Sequence, residues 1–449
     1  MRRRFVLLIL LLAACAASPT VPTPVAQAPT TSPAPTATLL LPTATLLLPT
    51  ATPPLPTATP LLTATPPLPT ATPLPRYDLV LSGGTLIDGT GAPPQPNMAV
   101  AISAGRIAAV GRAGELAYSL DTPVRELGGA TILPGFINAH AHTVGLSDTE
   151  LRAWPRAGIT TVRDLGGPLA ESTTRRDRIA AGGDPSLPRL LVAGPLLNVP
   201  GSFSTQVYGV SNRVALVENP ADARAETAAI LDGGADLIKL AVSGRTDVSW
   251  AELSDAELAA IVATARARGA HVVAHVDRAV ALRRAVEQGV SSVAHSPRDR
   301  IPDELIALMV EREIGMVPTI AVYEGLARER GNLVEWRRII QPLLYDNLLR
   351  FARAGGTLAL GDDYGGAREM TIGMPAAEIG HWLAAGLTPM EVIVAATSGA
   401  ARVLDREDEL GRIAPGLVAD MLVVDGDPLV EIDALVRPVL VLHGGREVR

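Results

Sequence analysis

Cysteine occurs once in this chain of 449 residues, at Cys15, which excludes an intrachain disulfide framework and any cysteine-based structural zinc site. Lysine also occurs once, at Lys239, against 38 arginines. Aromatic residues make up only 3% of the chain, and none interleave with a basic stripe. With Arg2, Arg3 and Arg4 set aside, 36 basic residues face 46 acidic ones. That balance lacks the electrostatic footprint of a nucleic-acid binder, so no nucleic-acid partner is expected. Residues 16–75 carry no charged side chain.

What is present begins with a leader. Arg2-Arg3-Arg4-Phe5 and the apolar run Val6 to Ala14 have the charged start and short apolar core of a secretory signal, too short to span a bilayer as a helix. The run ends in Leu12-Ala13-Ala14-Cys15, which resembles a bacterial lipobox, whose cysteine is acylated and becomes the new N-terminus. On that reading residues 1–15 are a lipoprotein-type signal and Cys15 is the lipidation site. The protein would then be lipid-anchored to the membrane at the extracytoplasmic face of a bacterial cell. The alternative is an ordinary signal peptide that contains a cysteine. Residues 16–75 repeat Pro-Thr-Ala-Thr at Pro35, Pro42, Pro49, Pro56 and Pro69. Such regular proline removes backbone donors and favours polyproline II, so this stretch reads as a disordered spacer.

The rest of the chain reads as α/β. Tyr77 to Leu81 and Arg106 to Val110 are strand-like, as are Asp420 to Val424 and Val439 to Leu442. Residues 76–132 and 405–449 are therefore expected to complete one small composite β domain from both ends of the folded region. Between them, in 133–404, eight strand candidates alternate with helical segments such as Asp255 to Arg268, Ala279 to Gln288 and Ala376 to Ala385. The pattern implies a TIM-type (β/α)8 barrel.

In such a barrel, side chains at the C-terminal ends of the strands converge on the site. His140 and His142 lie two residues apart at the end of the first candidate, a spacing that puts both imidazoles on one face. His275 closes the fifth candidate and His295 the sixth, while Asp363 follows the eighth. Imidazole and carboxylate suit zinc and similar divalent metals. Lys239 closes the fourth candidate, flanked by Leu237, Ile238 and Leu240, so a buried amine is expected there. An arginine stays charged, whereas a desolvated lysine can lose its proton and react with CO2 to give a carbamate able to bridge two metals. Arg163 and Asp164 are read as a structural pair, and His271, His381 and His443 are given no role. Tyr208 and Tyr364 are placed near the pocket by position alone.

These residues resemble the amidohydrolase superfamily over about Tyr77 to Arg449. Leu133-Pro-Gly-Phe-Ile-Asn-Ala-His140-Ala-His142 is similar to its first-strand metal motif, and Gly234-Ala-Asp-Leu-Ile-Lys239 to its bridging-lysine segment. Gly361-Asp-Asp363 is similar to its terminal Gly-Thr-Asp, and Glu409 to Asp420 to the return into the small sheet. Thr160-Thr-Val-Arg-Asp-Leu165 and Ala385-Gly-Leu-Thr-Pro389 look like the imidazolonepropionase-related and Xaa-Pro dipeptidase-like branch. The resemblance implies two divalent metal ions, with zinc expected. His140, His142 and Asp363 would hold one and His275 and His295 the other, with carboxylated Lys239 between them. It further implies a metal-bridging hydroxide as nucleophile and Asp363 as general acid and base.

The chain departs from the dipeptidase-like relatives around the pocket. The loop Asn198-Val-Pro-Gly-Ser-Phe203 lacks their histidine, Leu253 stands where they carry a tyrosine, and Asp362 replaces the usual threonine. The expectation is therefore hydrolysis of an amide or peptide-like C–N bond in a small molecule. A lactone, cyclic-amide or N-acyl-amino-acid hydrolase is the alternative within the same chemistry. A catalytically inactive surface binding protein is the alternative of another class, disfavoured because all six candidate ligands are present. A homo-oligomer is compatible with the sequence.

Overall fold

The eight βα repeats are present in the computed structural model, which describes residues 74–209, 211–243 and 250–449. The leader with Cys15 and nearly all of the spacer lie outside the described residues. Among those described, no helix is long and apolar enough to cross a membrane.

The first three barrel strands, Phe136–Ala141, Ile159–Asp164 and Arg189–Val192, run parallel in that order. The next four, Leu237–Ala241, His271–His275, Ser292–Ala294 and Gly315–Val317, form a second parallel arc. Short strands Leu196–Asn198 and Val214–Leu216 extend that arc at its start. Asp236 stitches the two arcs together, since its N–H donates to Val192 O at 2.9 Å and its carboxylate accepts from Val192 N at 2.8 Å. The eighth stave, residues 357–361, bonds to both sides. Ala359 N donates to Met316 O at 3.0 Å, and Ala139 N donates to Leu360 O at 2.7 Å, which closes the ring.

Parallel strands covered on both faces read as continuous apolar runs, and here they are buried end to end. Small residues, Ala139, Ala193, Ala294 and Ala359, join Ile137, Leu191, Leu237, Val273 and Val317 inside the barrel. Larger side chains such as Trp154, Leu258, Leu282 and Trp382 pack outside it against the helices. Those helices begin and end where local chemistry directs. Asp255–Ala267 starts at a reciprocal cap of Ser254 with Glu257, and Ala279–Gln288 and Ala376–Ala385 stop at left-handed Gly289 and Gly386.

Both ends of the folded region do build one small sheet. Its order is Arg446–Glu447, Pro438–His443, Met421–Val424, Thr131–Pro134, Leu79–Leu86, Gln95–Ser103 and Arg106–Arg112, with Val124–Glu126 beside Leu79–Leu86. The boundary drawn between residues 132 and 133 falls inside the strand Thr131–Pro134, whose Leu133 pairs with Leu422. The apolar run reads as continuous with the first barrel strand, and Gly135 is what separates them. A Cβ there would lie 2.5 Å from Thr160 Oγ1, so only glycine lets the chain pass from sheet to barrel.

Candidate metal centre

The first barrel strand carries His140, 1% exposed, and just beyond its end His142. Their Nε2 atoms each lie 3.1 Å from Asp363 Oδ1, and the three residues form one group of potential ligands within 4.8 Å. The contacts lack hydrogen-bond geometry, so Asp363 Oδ1 has no partner, nor do the two Nδ1 atoms. Burial pushes His140 down to about 3, leaving a neutral imidazole with a free lone pair at neutral pH. Burial alone would raise the Asp363 carboxyl. The imidazoles it faces outweigh that and hold it well below the usual carboxylate range.

Asp362, next in the chain, looks elsewhere. Its Oδ1 accepts from Asn138 Nδ2 at 2.8 Å, while Asn138 Oδ1 accepts from His140 N at 3.1 Å. Asn138 thus ties the end of the first strand to the eighth stave. Burial raises the Asp362 carboxyl to about 6. Gly361 permits the close approach: a Cβ there would lie 2.7 Å from both His140 N and Val317 Cγ1.

His275 and His295 join the group through ring contacts. The His295 ring lies 4.9 Å from that of His140 and 4.4 Å from that of His275. Burial lowers His275 to about 3 and takes His295 well below its usual value. His295 Nδ1 sits 2.6 Å from Thr319 Oγ1. His295, Thr319 and Asp363 all hold left-handed backbone, at φ 73°, 50° and 59°. For non-glycine residues this conformation is costly, most of all for a β-branched threonine, and such strain gathers where geometry is over-determined.

Lys239 is 2% exposed and its Nζ has no partner. Burial pulls the amine down to about 7, against the opposing pull of Asp363. The lysine charge bears on His140, His275 and His295 alike, so it stands among them. All six sequence-derived candidates therefore share one buried neighbourhood at the C-terminal ends of the strands.

The stacking of Phe203 and the nearness of Trp250 and Tyr323 were not singled out by sequence, whereas Tyr208 and Tyr364 were. Phe203 stacks on the His275 ring at 5.2 Å and contacts Trp250 at 5.5 Å. Tyr323 lies 6.1 Å from His295. Burial raises the Tyr208 hydroxyl to about 12, with the Asp363 charge adding to the effect. Tyr364 packs edge-on against Trp154 at 5.6 Å, and its carbonyl accepts from His142 N. Arg163 and Asp164 do not pair. Adjacent strand residues point to opposite faces, so Arg163 Nε donates to Ala139 O while Asp164 accepts from Thr143 Oγ1. His271 lies 3.7 Å from Asp405, and His381 bonds Glu324 and Tyr345, both away from the centre.

Known proteins resemble this chain in sequence and in fold. The chain is 30% identical over 336 residues to an uncharacterized protein of Mycobacterium tuberculosis, covering 71% of this chain and 85% of that one. It is 26% identical over 416 residues to an ochratoxinase of Aspergillus niger, covering 81% and 84%. The crystal structure of a Xaa-Pro dipeptidase with methionine in its active site superposes with a TM-score of 0.73 at 23% identity, over 83% of this chain and 99% of that one. The sequence model of the amidohydrolase family matches residues 131–448, the stretch that holds every residue of the centre, and the chain belongs to that family.

Proposed function

We propose that this protein hydrolyses an amide or peptide-like C–N bond in a small molecule, at a centre holding two divalent metal ions. His140, His142 and Asp363 would hold one, His275 and His295 the other, with Lys239 between them. The observation that carries the reading is the convergence of His140 Nε2 and His142 Nε2 on Asp363 Oδ1 at 3.1 Å without hydrogen bonds, beside a buried lysine amine with no partner. That spacing is near the separation of adjacent donors around a tetrahedral ion, roughly 3.3 Å for donor distances of about 2.0–2.2 Å. Neutral imidazoles at His140, His275 and His295, an ionised Asp363 carboxylate and a lysine drawn toward neutrality suit a divalent cation, with zinc the expected one.

Metal bound there would polarise the scissile carbonyl and lower the pKa of water to about 7. The residues supply the rest. Asp363, ionised and facing the histidines, can take a proton and hand it to the departing amine. Lys239 offers a neutral amine that CO2 converts to a carbamate with release of a proton, placing negative charge among the histidines. Phe203, stacked on His275 and backed by Trp250, favours an apolar or aromatic group beside the scissile bond. Likeness to an ochratoxinase and a dipeptidase fold supports C–N bond cleavage as the chemistry. Anchoring through Cys15 at the extracytoplasmic face is part of the same proposal and rests on the lipobox alone.

Lys239→Arg is the pointed test, since it keeps charge and bulk but forms no carbamate. Metal analysis of the wild type should give close to two divalent ions per chain. In the variant, metal content and turnover of N-acyl amino acids and Xaa-Pro dipeptides should both collapse. Unchanged metal content and turnover would remove the bridging lysine from the mechanism.

A further inference from the structure

The helix Ile320–Glu329 begins at Thr319, and a threonine in that position ordinarily caps its own helix. Ser254 and Thr388 do so in this chain. Both hold extended backbone, and their hydroxyls accept from Glu257 N and Glu391 N, each at 3.3 Å. Thr319 behaves differently. Its backbone is left-handed, at φ 50° and ψ 49°, and its side chain makes no cap hydrogen bond to the helix it starts. The hydroxyl lies instead 2.6 Å from His295 Nδ1.

The first N–H groups of any helix have no partner one turn back and need another acceptor. Here Glu378, from the helix Ala376–Ala385, supplies it. Its Oε1 accepts from Ile320 N at 2.9 Å and its Oε2 from Ala321 N at 2.6 Å. Oε1 also accepts from the indole of Trp382 at 2.7 Å, one turn along its own helix, which fixes the direction of the carboxylate. Glu378 is fully buried. Ala321 N is the second N–H of its helix, one of the two donors that a threonine cap would itself engage. Carboxylate and hydroxyl are therefore competitors for one donor, and in this fold the carboxylate holds it. The hydroxyl left over is the one that meets His295.

We propose that Glu378 is a positioning residue of the metal centre: by capping Ile320–Glu329 in place of Thr319, it frees the Thr319 hydroxyl to orient His295. Glu378 touches neither metal nor substrate in this scheme and acts through Thr319. The inference rests on the reading of His295 as a metal ligand, and it names what decides where the Thr319 hydroxyl goes.

A double-mutant cycle in the full-length protein tests it, with zinc affinity read by competition with a chelator. Glu378→Gln keeps the shape but leaves one oxygen for donors that now use two. It should weaken zinc binding about 10-fold in the wild-type background, in the range of other lost supports of metal-binding histidines. In the Thr319→Val background the same substitution should cost less than about 2-fold, because the residue it acts through is already disabled. Equal losses in both backgrounds, the mark of general loosening, would overturn the proposal, as would unchanged affinity in Glu378→Gln. Should that variant not fold, Trp382→Phe removes only the indole donor to Glu378 and carries the same cycle with a smaller loss. A crystal structure of metal-free Glu378→Gln gives a second readout. Thr319 Oγ1 should have left His295 Nδ1 to accept from Ala321 N, and retention of the His295 contact would overturn the proposal whatever the affinities. A wild-type chain that binds no zinc overturns the metal reading instead, and the metal-free crystal structure still decides whether Glu378 directs Thr319.

Discussion

Thr319 Oγ1 lies 2.6 Å from His295 Nδ1, and both residues hold left-handed backbone. Each strained residue faces the other across adjacent strand ends, so the hydroxyl fixes which ring nitrogen is engaged and leaves Nε2 for the centre. Thr319→Val keeps the branched shape and removes the hydroxyl. Metal affinity should fall about 10–100-fold, as for other lost partners of metal-binding histidines. Competition with a chelator measures this, and wild-type affinity in the variant would show that the bond does not orient His295.

Gly361 packs tightly against the first strand. Adding one methyl group in Gly361→Ala puts a carbon 2.7 Å from His140 N and Val317 Cγ1. Overpacking of this kind costs about 1–3 kcal/mol, and here it also displaces His140 from Asp363. Urea unfolding and metal analysis should show both losses together. Loss of stability with full metal content would mean that the strands part without disturbing the histidines.

Asp362 and Asp363 should separate cleanly by substitution. Asp363→Asn removes the charge that faces His140 and His142, and turnover should drop by at least about 100-fold. Asp362→Asn retains an oxygen for Asn138 Nδ2 and should lower turnover far less. The reverse order would shift the proton-transfer role to Asp362.

Glu378 gives the fold a pH dependence. It is fully buried and accepts from Ile320 N, Ala321 N and the Trp382 indole, pinning the start of the helix that follows Thr319. Burial, opposed by those bonds, raises its carboxyl from 4.5 to about 7. The folded state thus holds this proton more tightly than the unfolded one. That stabilisation is complete below pH 4.5 and is lost as the pH rises through about 7. Glu378→Gln abolishes it. The destabilisation caused by the substitution should be largest near pH 4.5 and shrink by pH 8, and a gap constant with pH in urea unfolding would reject the assignment.

The sequence made the candidate ligands legible for a physical reason. His140 and His142 share a face by strand periodicity, and one lysine among 38 arginines marks a place where an amine cannot be exchanged for a guanidinium. Thr319 and Phe203 left no such trace, because their roles depend on which strand ends meet in space. The Arg163–Asp164 pairing failed for the complementary reason: neighbours in sequence on a strand are kept apart by its pleat. The strand Gln95–Ser103 escaped notice because its first three residues are exposed and left-handed Asn97 interrupts its regular alternation.

The small sheet sets a condition on how the chain can be made. Thr131 Oγ1 donates to Gly426 O across 295 residues, and the strand Thr131–Pro134 is flanked on one side by Met421–Val424. Until that late segment is synthesised, the edge of Thr131–Pro134 has no partner and stays open to any other extended chain. Pairings so distant in sequence make folding slow, because the connecting loop must be closed before the contact rewards it. The barrel can assemble its parallel staves progressively, yet the sheet is complete only once Met421–Val424 is available to pair with Thr131–Pro134.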